Sequence, residues 1–414
     1  SGPEPLFFLH VNKTAGTSFA RFLEDRYPSA STITPEDLNM LRERKRISRA
    51  AFVEGLSRFS LITRVHAHFG ILEDLRALGR PYRAVTVMRR PLDRAYSQVE
   101  AWRRIPDVVL SGLDPYRRRL TLDARNLTVE EFAERYWQPL ANRQARMMAG
   151  MDDAGDQVPA STLAEVALRN LEQVEFVGLT HALEALGWSV SWNMRFYASL
   201  SGQRLNTTPM ADRLNTEERA SARAVLVALN EADEILYRAG ERRAFLISAR
   251  VKRDMFEARA GTREPVVLTA GETYSYTFET ALVGDGWHER EAGIERPARW
   301  TGPHRFAVLY LPVATSHTHV VLELQVTSVM RPDLLEHLQV HLNGVALAHE
   351  VTSVDGRLRL RTVRTKLPFT SSASGLELVL EFNDAWSVEG EEGKADPRRK
   401  TIAIEGVDVH AVSA

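Results

Sequence analysis

A polar turn near the start of the chain has the residue types of an anion-binding site. The segment 6–19 reads LFFLHVNKTAGTSF, an apolar run that stops at a Gly-containing turn. If the run is a strand and a helix follows, the amides that begin the helix and its dipole favour negative charge. The residues of this turn are Lys13, Thr14, Ala15, Gly16, Thr17 and Ser18. Lys13 adds a positive charge, Gly16 allows close approach to the backbone, and the hydroxyl groups can donate hydrogen bonds.

The order of residues distinguishes this turn from the phosphate loop GxxxxGK[ST]. In that loop the lysine follows the glycines, at the start of the helix. Here Lys13 precedes Gly16 and stands at the end of the apolar run. We therefore predict a phosphate-type site that is not a Walker A loop.

A second polar element follows another apolar run. The segment 84–102 reads AVTVMRRPLDRAYSQVEAW, in which Arg89 comes directly after the predicted strand end at Met88. Pro91 suits the first turn of a helix, and Ser97 lies eight residues beyond Arg89. Open α/β sheets bind ligands at the carboxyl ends of their strands, and a guanidinium matches a phosphate. Arg89 is thus a second candidate for binding an anion.

Residues 1–260 alternate strand and helix patterns, which predicts a parallel α/β sheet. The runs LFFLHV, SLITRVHAHF, YRAVTVM and EFVGL read as strands. A helix is expected after the first of them, with Thr17 or Ser18 as its N-cap. A short helix should end at Gly187, and one long helix should cover 215–237.

From residue 265 to 414 the pattern changes to short alternating segments broken by Gly, Asn, Asp and Pro. We predict a separate all-β sandwich, jelly-roll-like, of roughly seven or eight antiparallel strands. Trp287 and Trp300 bracket charged residues in a Gly- and Pro-bounded loop that could stack on a sugar ring. A glycan-binding role is one interpretation of this domain, and packing or oligomerisation is the other.

The composition narrows the class of protein. The 414 residues are 44% hydrophobic and 26% charged with a net charge of -1, which indicates a folded chain of two domains. The charge gives no argument for nucleic-acid or membrane binding. No apolar run approaches the ~20 residues that span a bilayer, so no transmembrane segment is expected. The absence of cysteine excludes disulfides and thiolate chemistry and favours a reducing, cytoplasmic compartment.

Together the two polar elements resemble the phosphosulfate-binding elements of sulfotransferases. KTAGTS at 13–18 and the pattern R-x-P-x-x-x-x-x-S from Arg89 to Ser97 are most similar to carbohydrate sulfotransferases of the heparan sulfate 2-O type, in a bacterial form. The family turn usually reads PKTGGTS or PKTGSTS. Here Asn12 replaces the proline, Ala15 replaces the first small residue, and Arg90 takes a position where Asp or Asn is common.

Four further segments extend the resemblance over about residues 5–240. TRVHAHFG at 63–70 resembles the HxH or GHF segment of the family, and LANRQARMMAG at 140–150 resembles N-x-Q-T-R-x-L-x-G. EFVGLTHALEALG at 175–187 and LNTTP followed by NEADEILY at 230–237 resemble two later segments. This order of segments is more specific than any one of them.

The resemblance implies the donor 3'-phosphoadenosine 5'-phosphosulfate (PAPS). Its 5'-phosphosulfate would lie on the turn 13–18, and its 3'-phosphate against Arg89 and Ser97, with Asn206 reaching a phosphate. The resemblance also implies that His68 is the base and that Lys13 stabilises the leaving oxygen, without a metal. His66 would support the base or the substrate. The implied acceptor-side residues are Arg143, Gln144 and Arg146.

The acceptor implied is a hydroxyl of a carbohydrate or glycoconjugate, and a homodimer is compatible with the sequence. The basic stretches 103–107 and 116–120 could grip an anionic glycan or form solvated surface. Two other functions share the phosphate turn. One is a nucleotide-dependent small-molecule kinase, which would need a Mg-binding Asp and a lysine at the helix start. The other is a non-catalytic glycan-binding protein.

Overall fold

The structure is a computed structural model of a mixed α/β chain with two compact units. The described residues are 4–43, 48–63, 68–151, 158–196, 214–261, 264–291, 297–302, 304–315, 319–354, 357–366, 375–383 and 400–413. The units are Ser1–Ile247 and Ser248–Ala414. The division falls within the helix Glu231–Ala260, ahead of residue 260 where the sequence pattern places the end of the first domain.

The first unit contains a parallel sheet, as the alternation of strands and helices predicts. Its strands are β1 (Leu6–Leu9), β2 (Leu61–Ile62), β3 (Arg83–Met88) and β4 (Phe176–Leu179). Their order is β2-β1-β3-β4, and each neighbouring pair is parallel. Every residue of β1 and β4 is buried. Burial on both faces explains why these strands read as continuous apolar runs.

Helices surround this sheet. They are α1 (Gly16–Glu24), α2 (Pro35–Glu43), α3 (Arg49–Leu56), α4 (Phe69–Ala77), α5 (Pro91–Arg103), α6 (Asp107–Leu110), α7 (Pro115–Asn126), α8 (Val129–Arg135), α9 (Arg143–Ala149), α10 (Ala160–Leu171), α11 (Leu183–Met194), α12 (Thr216–Ser221), α13 (Arg223–Leu229) and α14 (Glu231–Ala260). Short 3-10 turns occupy Ser29–Ser31 and Thr180–Ala182.

The two faces of β1 belong to different apolar clusters. Leu6 and Phe8 pack with residues of α1 and α11, whereas Phe7 and Leu9 pack with residues of α4, α10 and α14. This division follows from the alternation of side chains along a strand. The helices therefore cover both faces of the sheet, and the ends of its strands are left for the connecting turns.

Three details of the predicted helices are wrong. The helix α1 begins at Gly16 after Ala15, without a side-chain cap from Thr17 or Ser18. Gly187 does not end α11, which continues to Met194 because Val190 packs in the same cluster as the sheet. The predicted single helix over 215–237 is three helices, and Asn230, which separates the last two, accepts a hydrogen bond from the Asn142 amide instead of continuing the helix.

The second unit is built mainly from β-strands. Among the residues described, it also contains the end of α14 and one short helix, α15 (Asp333–Glu336). Its strands are β5 (Val266–Leu268), β6 (Thr273–Thr277), β7 (Gly284–Asp285), β8 (Arg299–Trp300), β9 (Phe306–Leu311), β10 (Val313–Thr315), β11 (His319–Val329), β12 (Gln339–Leu342), β13 (Val345–Leu347), β14 (His349–Val354), β15 (Arg357–Thr362), β16 (Thr365–Lys366), β17 (Leu376–Glu381) and β18 (Ile402–Val412).

Two antiparallel sheets of these strands share one apolar cluster. The first has the order β14-β15-β11-β18-β6, with β16 and β8 beside it, and the second has the order β13-β12-β17-β9-β7. Leu309 of β9 and Leu322 of β11 belong to the same cluster. The prediction of seven or eight strands is too low, because strands of two or three residues are too short to show alternation. The strands β5 and β10 also form a parallel pair, contrary to the purely antiparallel expectation.

Candidate functional site

Both predicted anion-binding elements lie at the carboxyl ends of the central strands of the parallel sheet. In the sheet, β1 and β3 are neighbours in the centre. The chain continues from β1 to β2 on one side and from β3 to β4 on the other side, so the two connections diverge between β1 and β3. In open α/β sheets the crevice between two such strands, outside their carboxyl ends, is where ligands bind. The turn 13–18 follows β1 and Arg89 follows β3. The predicted elements therefore flank this crevice.

The backbone of the turn adopts a conformation that is uncommon for residues with a side chain. Lys13 has φ 70° and Ala15 has φ 61°, both in the left-handed region. Non-glycine residues rarely hold this conformation, and such residues cluster at ligand sites. The helix α1 that follows has no side-chain cap and no acidic residue in its first turn. Its first amides and its dipole are thus suited to an anion.

The contact with His10 gives a second reason for glycine at position 16, in addition to close approach by a ligand. A Cβ at this position would lie 1.9 Å from Nε2 of His10. The His10 ring stacks on Phe8 with centroids 5.1 Å apart, so it cannot easily move away. The sequence interpretation, which assigned Gly16 to close approach by a ligand, missed this contact.

The three hydroxyl groups of the turn differ in their surroundings. Thr14 is fully buried and its Oγ1 donates to the Val11 carbonyl at 2.8 Å. Its single hydroxyl proton is therefore used inside the protein, contrary to the expectation that it would serve a ligand. Ser18 is buried, whereas Thr17 is exposed. Of the three, Thr17 has the side chain that solvent and a ligand can reach most directly.

Arg89 connects the two elements directly. Its Nη1 donates to the carbonyl oxygen of Lys13 at 3.1 Å. This hydrogen bond spans the crevice from the residue after β3 to the turn after β1. The guanidinium has five N–H groups and a full positive charge, so one hydrogen bond to a carbonyl does not use up its capacity for an anion. Arg89 can therefore hold the turn in place and still contribute charge at the same edge.

The charge environment of Lys13 is positive. Burial lowers the pKa of Lys13, and the nearby guanidinium groups of Arg104 and Arg89 lower it further, while the Glu100 carboxylate acts in the opposite direction. Burial and like charges both disfavour the protonated amine. An anion bound beside Lys13 would relieve both effects.

The sequence analysis did not identify Glu100, and it placed Arg104, within the basic stretch 103–107, on an acceptor glycan or the solvated surface and not beside Lys13. Ser97, Glu100 and Arg104 are spaced by three and four residues, so they share one face of α5 and its end. Ser97 and Glu100 are buried. The Glu100 carboxylate accepts from the Leu214 amide at 3.1 Å. The spacing of Ser97, Glu100 and Arg104 was the sequence signal that could have identified them as neighbours. Arg103, also in the basic stretch 103–107, donates to the Ala124 carbonyl at 2.7 Å.

His68, the predicted base, immediately precedes α4 and is half-buried. It follows β2, which pairs with β1, the strand that leads to Lys13. Its Nδ1 is buried and has no hydrogen-bond partner in the described part of the chain. That nitrogen lies 3.1 Å from where a Cβ on Gly70 would be, so the ring packs against the start of α4. A base role would therefore fall to Nε2. His66 lies outside the described residues.

The acceptor-side candidates lie on α9, and two of them are buried. Gln144 bonds to the backbone of Arg89 through both atoms of its amide. Arg146 donates to the Gln138 carbonyl and, at 2.7 Å, to the Ala141 carbonyl. Both side chains thus serve the protein's own backbone. Arg143 is half-buried, and its contact with an acceptor stays a prediction.

Other predicted features concern parts of the chain away from these elements. Asn206 lies outside the described residues. In the second unit Trp287 donates to the Val308 carbonyl at 2.8 Å, and Trp300 is buried beneath Lys400, whose Nζ lies 4.8 Å from the ring. Both rings therefore contribute to packing in this unit, and a sugar-stacking role for the loop stays a prediction. An open pocket of about 100 Å³ in this unit is lined by Phe256 and the three tyrosines Tyr274, Tyr276 and Tyr310.

Searches for two other kinds of site were negative over the residues that the structure covers. No group of three or more His, Asp or Glu side chains among them is arranged to hold a metal ion. Likewise, none of the described helices is both long and apolar enough to cross a membrane.

Comparisons with known proteins do not assign the chain to a family. No family model matches it, and no curated protein matches it. Among solved structures, a family GH115 4-O-methyl-alpha-glucuronidase with specificity for decorated arabinogalactans shares 12% identity, covering 75% of this chain and 34% of that chain, with a TM-score of 0.20. The chain spans about a third of the length of that protein, and a likeness at this TM-score carries no argument about fold or activity.

Proposed function

We propose that this protein is a PAPS-dependent sulfotransferase that acts on a hydroxyl of a carbohydrate or glycoconjugate. The observation that carries the proposal is the pairing of Lys13 and Arg89 across the crevice between β1 and β3, joined by the 3.1 Å hydrogen bond from Arg89 to the Lys13 carbonyl. Two cations on neighbouring strand ends fit a donor with two separate phosphate groups.

The residues divide between the two ends of the donor. The uncapped amides at the start of α1, the amine of Lys13 and the hydroxyl of Thr17 would bind the 5'-phosphosulfate. Arg89 and Ser97 would bind the 3'-phosphate, and Arg104 would add positive charge near the turn. The finer fold that accompanies this proposal is a P-loop-like first domain with a jelly-roll-like sandwich as an accessory domain.

Sulfuryl transfer requires that the acceptor oxygen forms a bond to sulfur while the bond from sulfur to the bridging phosphate oxygen breaks. The proton of the acceptor hydroxyl would pass to Nε2 of His68, which would act as the general base. Lys13 would neutralise the charge that grows on the bridging oxygen. The products are the sulfated acceptor and 3'-phosphoadenosine 5'-phosphate (PAP).

Isothermal titration of the protein with PAP and with ATP tests the proposal. We expect micromolar binding of PAP and weaker binding of ATP, which lacks the 3'-phosphate. Lys13→Ala and Arg89→Ala should each reduce PAP binding at least tenfold. Arg21→Ala removes an exposed cation from the same helix α1 and should leave the affinity unchanged.

Tight binding of ATP without preference for PAP would refute the sulfotransferase proposal and favour a kinase. Binding of neither nucleotide would favour a non-catalytic glycan-binding protein. Equal losses in Arg21→Ala and Lys13→Ala would mean that net charge, not the turn, determines the affinity.

A further inference from the structure

Two segments that are far apart in the sequence, around Asn142 and around Asp233, form hydrogen bonds with each other close to Arg89. The Asn142 amide donates to Oδ1 of Asn230 at 3.1 Å, and the Asp233 amide donates to Oδ1 of Asn142 at 3.1 Å. The Asp233 carboxylate accepts from the amides of Gln144 at 3.2 Å and Ala145 at 2.7 Å. Asp233 therefore caps the start of α9, and the backbone of Gln144 is fixed in a buried site.

The side chain of Gln144 in turn fixes the backbone at the end of β3. The Arg89 amide donates to Oε1 of Gln144 at 3.0 Å, and Nε2 of Gln144 donates to the Arg89 carbonyl at 2.8 Å. Gln144 is 1% exposed, so water cannot readily replace either bond. Arg89 then donates to the Lys13 carbonyl at 3.1 Å. A continuous series of hydrogen bonds thus leads from Asp233 to the turn.

We propose that Gln144, anchored by Asp233, is a positioning residue for the anion site. It holds the main chain of Arg89 so that the guanidinium meets both the turn and a bound phosphate. This role rests on the proposed function, and it replaces the acceptor contact that the family resemblance implied for Gln144. Because small displacements of binding groups reduce activity strongly, loss of this support should weaken the donor site without removing any group that touches the donor.

Glutamine is suited to this position for a chemical reason. The two backbone groups of Arg89 need one acceptor and one donor, and a side-chain amide supplies both. Methionine has a similar length and favours helices but forms neither bond. Asparagine keeps the amide but is one methylene shorter, so a water molecule would have to complete the contact.

The experiment compares PAP affinities by isothermal titration in the full chain. Gln144→Met should weaken PAP binding about tenfold or more, and Gln144→Asn should weaken it less. The matched control is Asn170→Leu, which removes a buried 2.9 Å hydrogen bond from Asn170 to the Met148 carbonyl at the other end of α9. This control should lower the melting temperature but leave PAP affinity unchanged.

Hydrogen exchange of the Arg89 amide gives a second readout that needs no ligand. The amide should exchange faster in Gln144→Met, whereas its rate in Asn170→Leu should equal that of the wild type. Unchanged PAP affinity in Gln144→Met, with tight binding in the wild type, overturns the inference and leaves the proposed function standing. Equal losses in Gln144→Met and Asn170→Leu would show a general structural role and also overturn it. If the wild type does not bind PAP, the proposed function fails and this role fails with it.

Discussion

Replacing Arg94 by methionine should reduce the free energy of unfolding of the first unit by about 3–5 kcal/mol. Nε of Arg94 lies 3.9 Å from Oδ2 of Asp233, and both side chains have 0% exposure. Nη2 of Arg94 also donates to the Leu140 carbonyl at 2.5 Å. The substitution leaves the Asp233 carboxylate buried without its counter-charge, which is the costly result of breaking a buried pair from one side.

Removing both charges should be less harmful than removing one. Burial lowers the pKa of Arg94 to about 10 and raises the pKa of Asp233, so burial disfavours the charged form of each. In Arg94→Met/Asp233→Asn no charge remains, and the asparagine oxygen can still accept from an amide of α9. We expect the double variant to be about 1–3 kcal/mol more stable than the sum of the single variants predicts.

Urea unfolding followed by circular dichroism measures these differences. Because two units can unfold in separate transitions, the transition of the first unit must be identified. Tyr310→Phe serves this purpose: it removes the 3.0 Å hydrogen bond from Tyr310 to Glu377 within the second unit and should shift only the other transition. A loss below about 1 kcal/mol in Arg94→Met, or strict additivity in the double variant, would refute the reasoning.

The turn before α1 gives two more expected results. Since burial and neighbouring guanidiniums lower the pKa of Lys13 below its ordinary value, PAP affinity measured by titration should fall as rising pH removes the proton from Lys13, in a range where the phosphates are already ionised. Lys13→Arg stays charged and should remove this dependence, and a slope that persists would contradict the assignment. Gly16→Ala would place its Cβ 1.9 Å from Nε2 of His10. It should destabilise the protein by about 1–3 kcal/mol in thermal unfolding, and Gly16→Ala/His10→Ala should recover most of the loss; no recovery would place the clash elsewhere.

The sequence predicts the parallel sheet well because its strands are buried on both faces. β3 and β4 match apolar runs, and the helix that follows Pro91 is α5. The run SLITRVHAHF, in contrast, contributes only Leu61–Ile62 to the sheet, and α4 already begins at Phe69. The prediction of helix ends fails where a tertiary contact determines how far a helix continues. Gly187 is compatible with a helix end, yet Val190 continues to pack on the sheet, so α11 goes on to Met194.

In the candidate site, too, local features can be predicted from the sequence and long-range contacts cannot. The turn at Lys13 and the position of Arg89 can be predicted from local pattern, because each comes after an apolar run of the sequence. The contacts of Gln144 cannot, since its partners lie 55 and 89 residues away in the chain. The clash that requires Gly16 depends on the rotamer of His10 and is equally invisible to a pattern.

The free turn carries features that oppose stability. The left-handed φ angles of Lys13 and Ala15 cost about 1–3 kcal/mol each, which glycine at either position would relieve. Burial also disfavours the charge of Lys13, so a neutral residue there would be easier to fold. An anion at the start of α1 would favour the protonated amine and use the uncapped amides, and it would thereby stabilise the same conformation. The features that weaken the free turn are thus the ones that would strengthen its complex with a phosphosulfate.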